Sequence, residues 1–322
     1  MAGQTRMHVV TGKGGTGKST VAAALAVGLA AQGCKVLLCE VEGRQGIAQI
    51  FDVAPLPYEE RQVAALDDGA VYALAIDAEE ALLEYLAMFY RLGRAGKALD
   101  RFGVIDFATT IAPGVRDVLL TGKVYEAVRR RDDDGDPVYD AVVLDAPPTG
   151  RIARFLNVNA EVAGLAKVGP IHRQADSIMT LMRSRRTRVH LVTLLEEMPV
   201  QETLDAVDEL TAAELRIGTL IVNQVHPAVF DDDEIERISN GGLTAASVRR
   251  TLRSAGLDLD GGQAQALLDE GRERIERMRL QAAQRALLDD AGAPVVELPA
   301  VSEGIDLAQL LSLGETLAEA LP

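Results

Sequence analysis

One short string near the start of the chain contains glycines, two lysines and hydroxyl residues at spacings suited to phosphate chemistry. The string is Gly12-Lys13-Gly14-Gly15-Thr16-Gly17-Lys18-Ser19-Thr20. It fits the pattern G-x-x-x-x-G-K-[ST], in which glycines let consecutive backbone N–H groups surround phosphate oxygens. Lys18 supplies a charge for β- and γ-phosphates, and the Ser19 hydroxyl is suited to ligate Mg²⁺. The pattern predicts a loop that binds ATP with Mg²⁺.

The flanking sequence indicates that this loop joins a strand to a helix. Met7-His8-Val9-Val10 is short and apolar, as a buried strand should be. Residues 21–31 are rich in alanine and leucine, and the helix that they predict ends near Gly33. A helix that begins at the loop presents its partial positive charge to the phosphates. A chance glycine-rich turn would lack this order of elements.

Lys13 adds a second cation to the loop. Since Lys18 already serves the nucleotide of its own subunit, we predict that Lys13 reaches a phosphate bound by a second subunit. An arginine finger supplied in trans acts in this way. The alternative is a solvated loop lysine.

Carboxylates end two of the apolar segments. Asp145 follows Val142-Val143-Leu144, the position of a Walker B residue that holds Mg²⁺ directly or through water. Glu40 and Glu42 lie at the end of the segment that begins at Lys35. Alternation sends both side chains to one side, so the end of the strand decides which one enters the site. The alternative is that both are surface acids on the rim.

Two further residues end apolar runs, and the first of them, Asn223, is a candidate for contact with the base of the nucleotide. Asn223 ends the apolar run Ile221-Val222, and its amide can both donate to and accept from an adenine edge. Asparagine also ends strands for reasons of turn formation, so this signal is weak alone. Pro299 follows Leu298 at the end of the last apolar run.

Composition limits the classes of function. The chain has 322 residues, 48% of them hydrophobic, and a formal net charge of −15, which disfavours nucleic acid as a partner. The basic run at residues 183–188 is expected to be a solvated helix end. The two cysteines, Cys34 and Cys39, are expected to be structural thiols, and the absence of C-x-x-C argues against zinc. With no signal-peptide layout and no apolar run near the roughly 20 residues of a membrane span, we expect a cytoplasmic protein without a stable membrane anchor.

Apolar runs alternate with helical patterns along the chain, which predicts an α/β fold with a doubly wound, mostly parallel sheet. We expect one P-loop domain over residues 1–322. Residues 78–131 and 157–188 interrupt the alternation and predict an inserted helical lobe. Its apolar side chains either pack on one another or form a groove for an apolar client. Residues 239–290 are expected to be helical, charged and exposed to solvent.

Several segments resemble the arsenical-pump and guided-entry (tail-anchored-protein targeting) ATPases, and the resemblance covers nearly the whole chain. The string G-K-G-G-x-G-K-[ST] is their deviant Walker A loop. Residues 145–154 resemble their switch II, with Arg151 in place of a histidine and Arg154 kept. Residues 113–117 resemble their P-G-x-x-E element, and Leu195 to Thr203 their strand-to-helix passage, with Glu197, Glu202 and Thr203 retained. The likeness is greatest to the actinobacterial branch, whose members often occur as adjacent paralogues.

The resemblance implies a P-loop NTPase of the dimerising deviant Walker A class that hydrolyses ATP. It places Asn223 at the adenine, Leu298-Pro299 in the loop that closes over the base, and Glu42 at the water-positioning position of switch I. Switch I departs from the pattern D-P-A-H-S, because it reads Glu42-Gly43-Arg44-Gln45-Gly46. The family's zinc-binding C-x-x-C at the dimer seam is absent, and the helical insert is short and only modestly rich in methionine.

Four classes of function follow from these observations. The first is an ATP-hydrolysing switch that pairs with itself or a paralogue and hands on a client such as a hydrophobic protein segment. The second is the soluble motor of an anion pump, disfavoured because two cysteines cannot form an arsenite-capturing cluster. The third is a slow or non-hydrolysing nucleotide-bound scaffold in a complex with a paralogue, which Glu42 keeps open. DNA partitioning is disfavoured by charge, and an iron protein is excluded by the missing cluster cysteines.

Overall fold

The computed structural model describes residues 5–90, 114–165, 170–302 and 304–321, which form a sheet flanked by helices. The strands are β1 (Met7–Gly12), β2 (Lys35–Glu40), β3 (Arg61–Ala65), β4 (Ala70–Ala75), β5 (Ala141–Asp145), β6 (Thr187–Thr193), β7 (Ile217–Val225) and β8 (Val295–Pro299). Their spatial order is β3-β4-β2-β5-β1-β6-β7-β8. All neighbouring strands are parallel except β3, which pairs antiparallel with β4. The predicted doubly wound α/β fold is confirmed.

Helices connect the strands on both faces. The helices are α1 (Lys18–Ala31), α2 (Gly46–Ile50), α3 (Ala78–Tyr90), α4 (Val115–Arg129), α5 (Thr149–Leu165), α6 (Pro170–Met182), α7 (Glu197–Ala212), α8 (Asp232–Ser239), α9 (Ala245–Ser254), α10 (Gly261–Asp289) and α11 (Leu307–Glu319). The sequence pattern did not predict β3. Its residues are mostly exposed, since it lies at the edge of the sheet, so it lacks the continuous apolar run of the inner strands.

Helix α1 is held between the sheet and α11, so every residue from Val21 to Ala30 is buried. The approach of the two helices requires glycine on both. A Cβ on Gly28 would lie 2.2 Å from the carbonyl oxygen of Gly314, and one on Gly314 would lie 2.3 Å from that of Ala24. This close packing fixes the helix that begins at the phosphate-binding loop.

The described residues cover only part of the predicted helical lobe. Helices α3 and α4 occupy the ends of the first stretch, while residues 91–113, with Phe102, Ile105 and Phe107, lie outside the described residues. The second predicted stretch, residues 157–188, contains the C-terminal half of α5 and all of α6, and its last two residues lie in a strand. Thr187 and Arg188 belong to β6, because they pair with Met7 and His8 of β1. The lobe itself remains a prediction.

The charged region near the C-terminus is mostly helical and exposed, and it also contains a small apolar cluster. Ile238, Leu268 and Ile275 of α8 and α10 are buried together. A cavity of about 720 Å³ lies beside this cluster, between α8, α9 and α10. An apolar groove therefore exists outside the stretches that the sequence singled out.

Neither cysteine is in a disulfide; Cys39 is buried in β2 and Cys34 is half-buried. Burial raises the pKa of the Cys39 thiol to about 12, so that thiol stays protonated at neutral pH. Among the described residues, none of the helices combines the length and the apolar character required to cross a bilayer.

Two buried histidines link β1, β6 and β7 through side-chain hydrogen bonds. The backbone N–H of Thr219 donates to His190 Nδ1 at 3.2 Å, which leaves the proton of His190 on Nε2. His190 Nε2 lies 3.2 Å from His8 Nδ1 and donates to it. The two rings stack with centroids 5.4 Å apart. Protonation of either ring places two donors against each other.

We expect this pair to destabilise the fold in acid. Desolvation, followed by the charge of Arg188, lowers the pKa of His8 to about 4. Desolvation, followed by the charges of His8 and Arg188, also lowers the pKa of His190. The unfolded chain therefore binds more protons than the folded chain between about pH 6.5 and pH 4. Stability falls as the pH drops through this window, by about 3 kcal/mol for His8. The raised pKa of Asp145 acts in the opposite direction.

The measurement is chemical denaturation of the wild type and a His8→Asn variant from pH 7.5 to pH 4.5. Asparagine keeps an acceptor for His190 but does not titrate. The free energy of unfolding of the variant should therefore fall much less between pH 7.5 and pH 4.5. The difference between the two stability curves isolates the contribution of His8. His226→Gln, which changes an exposed histidine, is the matched control. Parallel curves for the wild type and His8→Asn would contradict the assignment.

Candidate functional site

The predicted phosphate-binding loop joins β1 to α1 at the carboxyl edge of the sheet. Gly17 precedes α1 in the left-handed region, with φ of 87°. A Cβ on Gly17 would lie 2.4 Å from Asn223 Nδ2, so glycine is required for space as well as for backbone conformation. Lys18 and Ser19 begin the helix, followed by Thr20, and Lys18 is buried. This is the geometry of a phosphate cradle at a helix N-terminus.

Asn223 supports this loop from β7. Its Nδ2 donates to the carbonyl oxygen of Thr16 at 2.8 Å, and its side chain is buried. The structure thus gives Asn223 a role in shaping the loop that the sequence did not predict. Pro299, the other residue proposed near the base, ends β8 opposite Val225 of β7.

Asp145 and Ser19 meet at the mouth of the loop. Ser19 Oγ donates to Asp145 Oδ2 at 2.6 Å. Burial raises the pKa of Asp145 to about 6. Glu40 and Glu42 act in the same direction, while the Ser19 hydrogen bond and the charge of Lys18 oppose the shift. Burial is the largest cause of the shift, because it disfavours the charged form of the carboxylate. No cluster of three or more His, Cys, Asp or Glu residues that could hold a metal occurs in the described part of the chain.

The end of β2 separates the two glutamates that the sequence left unresolved. Glu40 is the last residue of the strand, is 3% exposed, and accepts a hydrogen bond from the backbone N–H of Gly46 at 3.0 Å. Glu42 lies beyond the strand, with its carboxylate 3.5 Å from Arg44. The negative charges of both glutamates help to raise the pKa of Asp145, so both lie near that carboxylate.

Glu202 of α7 bridges two parts of the site. Its Oε1 lies 2.7 Å from Lys13 Nζ, and its Oε2 accepts a hydrogen bond from Thr149 Oγ1 at 3.2 Å. Thr149 begins α5 in the segment that resembles switch II. Lys13 is therefore ion-paired within its own subunit, while 30% of its side chain is exposed.

Further contacts tie the switch II segment to its surroundings. Thr11 Oγ1 donates to the carbonyl oxygen of Pro147 at 2.6 Å, which joins the end of β1 to the turn after Asp145. Arg151, the residue in place of the family's histidine, contacts Asp117 at 3.3 Å. Asp117 lies in the segment that resembles the P-G-x-x-E element, so the two resembling segments touch.

Sequence reasoning named most of these residues but missed two roles. Glu202 was noted only as retained in a resembling segment, and its contact with Lys13 joins residues 189 positions apart, which no local pattern reveals. The burial of Glu40 was also missed. One signal was available: in a parallel sheet, acids that end neighbouring strands meet at the same edge.

Comparison with known proteins shows the family to which the chain belongs. Residues 5–184 match the anion-transporting ATPase family. This range contains the phosphate-binding loop and the segment that resembles switch II. The ATPase BagA of Mycobacterium tuberculosis (strain ATCC 25618 / H37Rv) is 55% identical over 315 residues, which are 98% of this chain and 93% of that protein.

More distant relatives carry a name that refers to transport. The arsenical pump-driving ATPase of Acidiphilium multivorum is 28% identical over 232 residues, 67% of this chain and 39% of that protein. The protein of the same name from Escherichia coli is 26% identical over 238 residues, 68% of this chain and 39% of that protein. The family match and the mycobacterial relative, together with the phosphate-binding loop, show what the chain is. It is an ATPase that belongs to the anion-transporting ATPase family.

Proposed function

We propose that this ATPase is a nucleotide-dependent switch that binds Mg²⁺ and ATP, pairs with a second subunit and couples hydrolysis to the binding of a partner or client. The observation that carries the nucleotide site is the hydrogen bond from Ser19 to Asp145 at the mouth of the loop. Ser19 and Asp145 are the expected pair for Mg²⁺, whose charge would assist departure of the γ-phosphate. The glycine-rich backbone and Lys18 would hold the phosphates, and Asn223 and Pro299 would contact the base.

Glu42 is our candidate for orienting the attacking water. It lies beyond the end of β2, in the segment that resembles switch I, and it influences the charge of Asp145. Glutamate is one methylene longer than the family's aspartate, and misplacement of a reacting group by about 1 Å can cost roughly a hundredfold in rate. We infer slow hydrolysis. The contact of Glu42 with Arg44 favours, as a second candidate, a scaffold that binds nucleotide with little turnover.

We propose that Lys13 acts across a subunit interface with a second copy or a paralogue. The ion pair with Glu202 would hold Lys13 in its own subunit until a second nucleotide is near. Because Glu202 also accepts from Thr149, the exchange would release switch II at the same time. Nucleotide state would in this way control both pairing and the shape of the switch segments.

The anion-pump alternative receives less support. The more distant relatives are named for driving arsenical pumps, but capture of arsenite by cysteines requires accessible thiolates. Cys39 is buried in β2, and the pKa of its thiol is raised to about 12. Cys34 is half-buried and directly precedes the same strand. We therefore propose a hydrophobic protein segment, rather than arsenite, as the client.

The nucleotide site is tested by separating binding from turnover. Lys18→Ala removes a charge-assisted contact worth about 1.5–3 kcal/mol, so ATP affinity measured by calorimetry should fall roughly tenfold to a hundredfold. Glu42→Gln should keep ATP affinity and lose nearly all hydrolysis, whereas Glu42→Asp should keep or raise the rate. Glu209→Gln, an exposed change on α7, is the control. Wild-type turnover in Glu42→Gln would exclude Glu42 as the water-positioning group.

The role of Lys13 across a subunit interface is tested by measuring the oligomeric state by sedimentation. The measurement is made with and without a non-hydrolysable ATP analogue, for the chain alone and for its mixture with a paralogue. Lys13→Ala should slow turnover more than it weakens ATP binding. Glu202→Gln removes the charge that holds Lys13, so pairing should strengthen by up to about fivefold, the scale of a partly exposed ion pair. A monomer in every nucleotide state and mixture would rule out this role.

The client is tested with an apolar transmembrane-type peptide that carries a photo-crosslinker. If residues 78–131 and 157–188 form the client groove, crosslinks should map there and depend on whether ATP or ADP is bound. The same peptide with its apolar residues changed to serine is the control. Crosslinks confined to the cavity between α8, α9 and α10, or none at all, would contradict the lobe as the client site.

A further inference from the structure

We propose that Glu40 is a ligand, beside Asp145 and Ser19, for the divalent cation of this site, and that the three groups bind the cation before nucleotide arrives. This inference rests on the proposed function, since it concerns the same cation. Glu40 lies outside the switch I segment, which begins at Glu42, and the phosphate-loop and Walker B patterns do not include it.

The pairing of β2 with β5 brings the two carboxylates together. The strands are parallel neighbours, and Glu40 is the register partner of Asp145, so both side chains project from adjacent positions at the carboxyl edge. Two like charges held side by side favour a cation between them.

Each carboxylate has one oxygen that is satisfied by the protein and one that is not. Glu40 Oε1 accepts from the backbone N–H of Gly46, and Asp145 Oδ2 accepts from Ser19. Glu40 Oε2 and Asp145 Oδ1 are buried without a hydrogen-bond partner among the described residues. Glu40 is 3% exposed and Asp145 is 7% exposed. Buried carboxylate oxygens are costly unless a donor or a cation satisfies them.

The space around Gly46 shows that Ser19 belongs to the same group. A Cβ on Gly46 would lie 3.6 Å from Ser19 Oγ and 3.7 Å from Glu40 Oε1. Ser19 and Glu40 therefore border one small space, and Asp145 is in contact with Ser19. Two carboxylates and a hydroxyl form an all-oxygen donor set, which suits Mg²⁺ or its substitute Mn²⁺. The hydrogen bond from Gly46 to Glu40 would also link cation binding to the start of α2.

The competing explanation is that Glu40 only holds Gly46 in place and never meets the cation. The two explanations differ for Glu40→Gln. Glutamine keeps an oxygen for the Gly46 N–H but replaces the second oxygen by a donor that repels a cation. A purely structural role would leave cation affinity unchanged in this variant.

The experiment measures binding of Mn²⁺ to nucleotide-free protein by electron paramagnetic resonance. We expect one Mn²⁺ per chain in the wild type, at least tenfold weaker binding in Glu40→Gln and in Asp145→Asn, and a change below about threefold in the control Glu209→Gln, an exposed carboxylate of α7. Gly46→Ala, which fills the bordering space without altering any charge, should also weaken binding. Thermal melting of each variant shows whether it is folded.

Wild-type Mn²⁺ affinity in folded Glu40→Gln would overturn the proposal, as would the lack of Mn²⁺ binding to the nucleotide-free wild type. ATP binding measured in parallel, with and without Mn²⁺, separates this result from the proposed function. If ATP binds normally but Glu40→Gln has no effect on Mn²⁺, only the role of Glu40 fails. If the wild type binds no ATP, the proposed function fails.

Discussion

The parallel register of β2 and β5 places Glu40 and Asp145 side by side at the carboxyl edge of the sheet, where both are buried. Much of the site is arranged around this concentration of negative charge. Ser19 donates to one carboxylate, the backbone of Gly46 donates to the other, and the charge of Lys18 acts on Asp145. These groups come from the phosphate-binding loop and the segment after β2. The acids thus bring together the parts of the chain that must respond to nucleotide.

A second carboxylate, that of Glu202, makes two contacts near the loop. Glu202 contacts both Lys13 and Thr149, so one side chain of α7 links the phosphate-binding loop to the start of α5. An ion pair that is only partly buried is worth about 1 kcal/mol or less. That modest strength would suit the exchange proposed for Lys13, because a competing phosphate would have little to overcome. The same interaction would be unsuitable if it were deeply buried.

The framework beneath the site is rigid for a different reason. Helix α1 is buried on all sides, and its approach to α11 leaves no room for a Cβ on Gly28 or Gly314. The His8–His190 pair joins three strands below the loop through hydrogen bonds that require both rings to be neutral. The loop therefore rests on well-packed elements, whereas the groups expected to move are held by single exchangeable contacts.

The sequence by itself determined the α/β class, the parallel sheet and the phosphate-binding loop, because each depends on local pattern. Glycine spacing, continuous apolar strands and an alanine-rich helix are all visible within about 15 residues. It also located Asp145 and Glu42, since acids at strand ends can be read directly. The edge strand β3 was missed, because its exposed residues lack that pattern.

Tertiary structure decided the contacts that join distant segments. Asn223 supports Thr16, Glu202 binds Lys13, and Glu40 lies next to Asp145, and in each case the partners are far apart in the chain. Strand order and register determine which side chains meet, and neither follows from the periodicity of one segment. The sequence therefore named the ends of the elements that carry the chemistry. Only the packing of those elements decided that Glu40, rather than Glu42, is buried beside Asp145.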